Sequence, residues 1–588
     1  MQTFPKSGWY IAGKCVTLHD CSTISRKMKH LLIALVASLS ATIVMAVPAE
    51  RVRRQVTLTD GSTLIINLSG DENLSWWQTD DGQIAVPAAD GVHYELTGEL
   101  VSDLQARAES DAQRRLAPRL IGSQSAAPLP SVGSPKVPVV LVNFTDSVFN
   151  VADTDEEVRQ YYDLYCNGTR DGNLYQGHGS YGSIRDYFFD QSNGLFTPEF
   201  VIIGPVNLDH PESYYGSNGS DGKDKGYTQF RNDAITKATE TYDGEWSDFD
   251  NRNKGQVDMV FFIYAGCGEA NGGHSTTLWP RESTTSVTIN GIKFATSACC
   301  NAMRARRNAQ GVVYDAVPDG VGIMCHELSH ALGLPDFYNT NYKSFGMDLW
   351  SLMDYGCYGS NGYVPCAYTA YERDFMGWQA LEEITTTQEL QIAPIANGGK
   401  GYKIVNSENS NEYYVIENRQ AVGWDRSICG FGHGLQVTHV DFDASIWNGN
   451  RVNNVVNHQR MTIIAANNLY KGTYNTNNTA DILMETWAGN LYPFGENNSL
   501  TSTTTPAATV YTASGYMDKE LLDITENDDK TVSLTVKCSI GTGISSAQNG
   551  FTGLSDGETL YDLQGRRVAS GSLRRGLYVA GGRKVSVR

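Results

Sequence analysis

Apolar residues recur along this chain in three different rhythms. From Leu31 to Val44 they run almost unbroken (LLIALVASLSATIV), just after Lys27, Lys29 and His30. A basic start, an apolar run too short to span a bilayer comfortably, and Val44 and Ala46 at the positions a signal peptidase reads describe a cleavable export signal. Translation is then expected to begin at Met28, and no stable membrane span is expected. The second rhythm is the short continuous run. Val137–Phe144 (VPVVLVNF) and Val257–Tyr264 (VDMVFFIY) suit buried strands, and Ser183–Phe189 reads as an amphipathic helix. Directly after the second strand, Ala265–His274 is glycine-rich and reads as a flexible loop. The third rhythm is a series of turn-separated strand-like runs, such as Tyr413–Gln420, Gly434–Val440 and Thr531–Val536.

One stretch carries chemistry as well as pattern. Val317–Asp336 reads VPDGVGIMCHELSHALGLPD. With Asp319 as cap, a helix would run to Leu332, where Gly333 ends it and Pro335 prevents its resumption. His326 and His330 then stand one turn apart on one face, the spacing a metal ion needs. Glu327 points beside that position, where a carboxylate can take a proton from water activated by the metal. The turn after Gly333 returns Asp336 as a third ligand, leaving a fourth position open, as in catalytic rather than structural zinc sites. Cys325 lies off this face and reads as core.

Other candidates are weighed against plainer roles. Glu372, in Ala370–Met376, is the rival third ligand. Tyr355 lies two residues beyond Met353, where its phenol is a candidate oxyanion donor. Asp248–Gly255 has the oxygen density of a calcium loop, but Arg252 and Lys254 occupy ligand places, favouring a solvated turn over Ca2+. His274 reads as a surface residue, and His439, Asp441 and Asp443 as a structural polar cluster rather than a metal site.

Composition narrows the setting. A net charge of -19 would repel a phosphate backbone, so nucleic acid is excluded as a partner. Beyond Ala46 the cysteines are Cys166, Cys267, Cys299, Cys300, Cys325, Cys357, Cys366, Cys429 and Cys538. Their odd number leaves at least one thiol free or paired with another chain.

The expected organisation is an upstream extension and export signal (1–46), a propeptide-like segment (47–134), a catalytic domain (135–383), a β-rich accessory domain (384–540), and a linker with a small C-terminal β module (541–588). The segment 47–134 has strand-like pieces at Thr57–Thr59 and Thr63–Ile66, and Arg114, Arg115 and Arg119 are candidate processing points. It holds no cysteine, so latency by a thiolate on zinc is excluded. A carboxylate could serve instead: Ser69-Gly70-Asp71 faintly resembles the aspartate switch of astacin propeptides, with a polar hairpin turn as the plainer reading.

Ser351–Tyr355 looks like the methionine turn beneath the zinc of metzincins. Together with the zinc stretch, Arg185-Asp186-Tyr187, Asp258-Met259-Val260, Tyr264-Ala265-Gly266 and Glu417-Asn418-Arg419-Gln420, it makes residues 135–500 resemble the immune inhibitor A-like metallopeptidases of the zincin group. The resemblance implies an α+β fold with a zincin-like catalytic domain. It also implies a secreted zinc endopeptidase that acts on proteins or peptides, often made with a propeptide and sometimes calcium-stabilised. The tail, with Leu560–Val568 and Gly576–Val579, is similar to the sorting domain read by the type IX secretion machinery, which implies a secreted or cell-surface destination. A zinc hydrolase of non-peptide amides and a surface adhesin on a peptidase fold are the alternatives; the intact Glu327 argues against the second.

Overall fold

The computed structural model describes residues 44–106, 127–219, 222–284, 286–308, 312–469 and 486–538, with the short strands 560–561, 567–568, 576–580 and 583–587. The export signal through residue 43, the arginines at 114, 115 and 119, and the linker 541–557 lie outside the described residues.

The described chain begins with a two-residue strand, β1 (Val44–Met45). Five strands then form an antiparallel meander in chain order: β2 (Arg53–Thr57), β3 (Thr63–Gly70), β4 (Ser75–Thr79), β5 (Gln83–Pro87) and β6 (Tyr94–Leu100). The turn between β3 and β4 carries Gly70 at φ 115° and Asp71, whose carboxylate accepts from the amides of Asn73 and Leu74. This is the hairpin turn expected at Gly70-Asp71, but it is buried rather than solvated, since Asp71 is 1 % exposed.

The next sheet positions the functional residues. Its strands are β7 (Lys136–Asn143), β8 (Glu199–Asn207), β9 (Val260–Cys267), β10 (Arg281–Ser283), then β11 (Val287–Ile289) and β12 (Ile292–Phe294) as a side hairpin, β13 (Ser297–Arg307) and β14 (Val313–Pro318). The order is β1-β10-β13-β9-β7-β8, with β14 also on β13. The pairs β13/β9, β9/β7 and β7/β8 are parallel, and β10 and β14 run antiparallel to β13. Strands paired on both sides and covered on both faces need continuous apolar sequence, which is why β7 and β9 read as unbroken runs. Val137, Val139 and Leu141 enter one core with the helices Asp155–Asn167 and Ile184–Gln191; Val140 and Val142 enter the other with the helix Tyr227–Thr241. The helix near Ser183 begins where expected, with Ser183 in a capping box with Asp186.

Two expectations need correction. The second strand starts at Val260 rather than Val257, which makes only an isolated bridge to Phe294. Ala265–Cys267 extends that strand instead of loosening into a loop, because β13 continues to pair with it as far as Met303–Cys267.

The β-rich region packs directly on this domain. Strands β15 (Glu382–Glu383), β16 (Gln388–Ile392), β17 (Tyr402–Asn406), β18 (Asn409–Arg419), β19 (Gly434–Asp441), β20 (Met461–Ile463), β21 (Lys519–Glu526) and β22 (Val532–Cys538) form two sheets, β15-β17-β18-β19-β20 and β16-β22-β21. Alternate residues of β18 divide the labour: Tyr414 and Ile416 fill the core between the two sheets, while Tyr413 and Val415 join the catalytic core. The tail strands β23 (Leu560–Tyr561), β24 (Arg567–Val568), β25 (Gly576–Ala580) and β26 (Arg583–Val587) form a separate small sheet. Among the described residues, no helix is long and apolar enough to cross a membrane.

Candidate active site

The active-site helix spans Gly322–Ala331 and is buried on every face. Asp319 does not cap it. The cap position is Val321 without a side-chain bond, and the Asp319 carboxylate instead accepts from Asn271 and Asn301, with burial pushing its pKa up to about 6. The helix can begin this abruptly because Gly322 lies against the backbone of Cys357; a Cβ there would come within 1.9 Å of the Cys357 carbonyl oxygen. Its end follows the expected route, with Gly333 at φ 107° turning the chain toward Asp336.

His326, His330 and Asp336 converge, and among the described residues they are the cluster able to hold a metal ion. Each histidine donates its Nδ1–H to a backbone carbonyl, His326 to Leu352 and His330 to Leu334, both at 2.8 Å. That fixes the tautomer and turns both Nε2 lone pairs inward. The two Nε2 atoms are 3.0 Å apart, and Asp336 Oδ1 lies 3.2 and 3.3 Å from them. Ligand atoms about 2.0–2.1 Å from a tetrahedral ion would be separated by about 3.3 Å, so this donor set fits zinc. Asp336 Oδ1 is buried without a hydrogen-bond donor, while Oδ2 is held by the Asn450 side chain at 2.6 Å. An orphaned carboxylate oxygen facing two acceptor nitrogens is the arrangement a cation resolves. Burial pushes the His326 imidazole down, toward the neutral form whose Nε2 lone pair faces inward.

The remaining sequence candidates fall in distinct places. Ser351–Tyr355 passes beneath the histidines: Leu352 supplies the carbonyl to His326, and the Met353 carbonyl accepts from Phe337 N–H. Glu372 is not in the cluster; it closes a capping box with Thr369 and accepts from Ser351 at 2.6 Å. The Tyr355 ring lies 3.8 Å beneath the Arg51 guanidinium. Cys325 is buried off the cluster, and all nine described cysteines are free thiols. At Asp248–Gly255, Asp250 accepts from the amides of Lys254 and Gly255, and Asp248 pairs with Lys136, as befits a hydrogen-bonded turn. His274 is exposed and bonded to Thr276. His439 pairs with Glu412, Asp441 with His458 and Arg460, and Asp443 caps a short helix, so these three serve structure. Asp71 is likewise outside the metal cluster; its carboxyl, raised by burial to about 6, reaches the Tyr338 hydroxyl at 3.3 Å.

What sequence reasoning missed is the segment laid across this site. β1 pairs antiparallel with β10, Val44 opposite Ser283 and Met45 opposite Glu282. The chain then crosses the helix. The Val47 N–H donates to Glu327 Oε1 at 3.0 Å, and the Ala46 carbonyl accepts from the Tyr338 hydroxyl at 2.9 Å. Trp279 Nε1–H donates to the Val47 carbonyl at 3.1 Å, and the Tyr358 hydroxyl to that of Pro48 at 2.7 Å. Arg51 closes the crossing with an ion pair to Asp348 at 3.0 Å. Met45, Ala46 and Val47 have no solvent exposure, and a fully buried Val or Met side chain is worth about 1.5–3 kcal/mol. Beneath them Glu327 is also sealed: burial, with Asp336 and Glu72 nearby, pushes its carboxyl well up, and its Oε2 is without a donor.

Residues 125–380 match the catalytic domain of the immune inhibitor A peptidase M6 family. Immune inhibitor A of Bacillus thuringiensis subsp. alesti is 24% identical over 270 residues, covering 41% of this chain and 39% of that protein. The pre-pro-metalloprotease PrtV of Vibrio cholerae serotype O1 (strain M66-2) is 22% identical over 299 residues, covering 44% of this chain and 32% of its own length. The match thus spans about two fifths or less of the length of these curated relatives.

Proposed function

We propose, from the premise that residues 125–380 are a metallopeptidase domain of the M6 family, that the protein is a secreted zinc endopeptidase made as a latent precursor. The observation that carries this reading is the convergence of His326, His330 and the orphaned Asp336 Oδ1, with Glu327 alongside and a peptide group on Glu327. Zinc held by those three residues supplies a Lewis acid and a water of lowered pKa. Glu327 takes the proton from the attacking water and passes it to the leaving nitrogen. Asn450 orients Asp336 and the Leu334 and Leu352 carbonyls orient the imidazoles. β10 offers an edge along which an extended substrate adds as a strand, the use β1 makes of it.

Residues 47–134 act as the propeptide in this reading. Their first residues fill the cleft, so latency comes from an occupied substrate groove rather than from a side chain on the metal. The export signal and the tail's resemblance to type IX sorting domains support delivery outside the cell.

The test compares casein cleavage by the processed wild type and Glu327→Ala, with zinc content measured for each. Chelator-sensitive cleavage that disappears in Glu327→Ala while zinc stays bound is the expected result. A processed, zinc-loaded wild type that leaves casein intact would sink the endopeptidase reading.

A further inference from the structure

The peptide group between Ala46 and Val47, the junction at which the export signal is expected to be cut, lies in the cleft as a substrate's would and is held at both ends by the domain beneath it. Its N–H is on Glu327 and its carbonyl is on the Tyr338 hydroxyl. The strand leading into it runs antiparallel to the sheet edge, the polarity of an added substrate strand. Tyr338 is two residues beyond Asp336, on the turn that returns the third metal-ligand candidate to the helix. Its hydroxyl has two partners among the described residues, the Ala46 carbonyl and the Asp71 carboxylate, and both come from the N-terminal segment. Departure of that segment leaves within the cleft a donor without a partner, aimed where a peptide carbonyl was.

We propose that Tyr338 is a catalytic residue that donates a hydrogen bond to the scissile carbonyl and to the oxyanion it becomes. The assignment rests on the endopeptidase reading above. The hydroxyl keeps its proton throughout: Glu327 moves the protons, and Tyr338 stabilises negative charge developing on oxygen. Trp279 and Tyr358 take the next two carbonyls of the bound chain and position it. Tyr355, the sequence candidate for the oxyanion role, has its ring against Arg51 of the covering segment.

The experiment uses the processed, zinc-loaded protein and a fluorogenic peptide, comparing wild type, Tyr338→Phe and Tyr355→Phe. Removing one oxyanion donor costs about 10²–10³ in kcat, so Tyr338→Phe should lose that much with KM within about threefold and zinc content unchanged. Tyr355→Phe tests the sequence candidate in parallel: a loss of about 10²–10³ in kcat there, with Tyr338→Phe near wild type, gives the oxyanion role to Tyr355 and overturns the assignment. A Tyr338→Phe enzyme with near-wild-type kcat, or one whose loss lies in KM, overturns the assignment. Where Tyr338→Phe fails to fold, a crystal structure of the wild type with a phosphinic peptide decides. A phosphinyl oxygen within hydrogen-bond distance of the Tyr338 hydroxyl supports the role, and one bonded elsewhere ends it. A zinc-loaded wild type that cuts no peptide would bring down the endopeptidase reading, and this assignment with it.

Discussion

The Val47 amide and the Glu327 carboxylate, 280 positions apart in sequence, meet at 3.0 Å. The group assigned to move protons in catalysis is therefore occupied by the chain's own backbone. A precursor retaining residues 47–134 should cleave casein at least about tenfold more slowly than the same protein after removal of that segment, since substrate must displace a strand held by several hydrogen bonds. The measurement is casein hydrolysis before and after limited trypsin treatment, with Glu327→Ala as the blank. Equal rates would mean that the segment leaves the cleft unaided.

Asn450 belongs to the β-rich region yet holds the free end of Asp336, through Nδ2 to Oδ2 and through Oδ1 from the Asp336 amide at 2.7 Å. Partners of metal ligands typically contribute 10–100-fold in affinity. Asn450→Ala should weaken zinc binding by about that factor, and Asp336→Asn by more, whereas Glu372→Gln should leave zinc bound. Zinc retained after dialysis against a graded chelator separates the three, and loss of zinc in Glu372→Gln alone would make Glu372 the third ligand.

Burial lifts the Glu372 carboxyl to about 7, against hydrogen bonds from Ser351 and Thr369 and the nearby Arg419. Its ordinary value is 4.5, so between the two the native state binds more protons than the unfolded chain. Stability contributed by this site is therefore present at low pH and declines as pH rises toward 7. The whole interval corresponds to on the order of 3 kcal/mol. Glu372→Gln preserves the cap without the titration, so its melting temperature should fall less than that of wild type between pH 5 and pH 7.5. Parallel curves for the two proteins would exclude the effect.

Gly322 begins the active-site helix where the Cys357 carbonyl leaves no room for a Cβ. Gly322→Ala gains helix propensity but forces that backbone apart, and overpacking of this kind costs about 1–3 kcal/mol. Thermal unfolding of the two proteins should differ by several degrees in favour of glycine, and an unchanged midpoint would show that the contact yields freely.

The parts legible in the sequence are those whose cause is local. The four-residue spacing of His326 and His330, the Gly333 turn, the helix beginning at Ser183 and the unbroken apolar run of β7 each follow from neighbours a few positions away. Asp319 misleads because helix capping is a local rule, while its partners arrive from elsewhere, Asn271 from the 3-10 turn Glu269–Asn271 and Asn301 from β13. Asn450 on Asp336 and Val47 on Glu327 are invisible in the sequence for the same reason, at separations of 114 and 280 residues. Tyr338 does leave a trace, two positions beyond Asp336, yet a tyrosine among 31 gives no sign of where its hydroxyl points.

Sealing has a consequence for assembly. His326 and His330 have no solvent exposure beneath residues 44–51, so an ion arriving from solution finds no path once the crossing is made. Metal loading thus becomes a matter of order: zinc enters while the N-terminal segment is still unfastened, or waits until it is removed. A batch folded in chelator and then given zinc would hold a kinetically excluded population, and its filling rate would report how often the crossing opens.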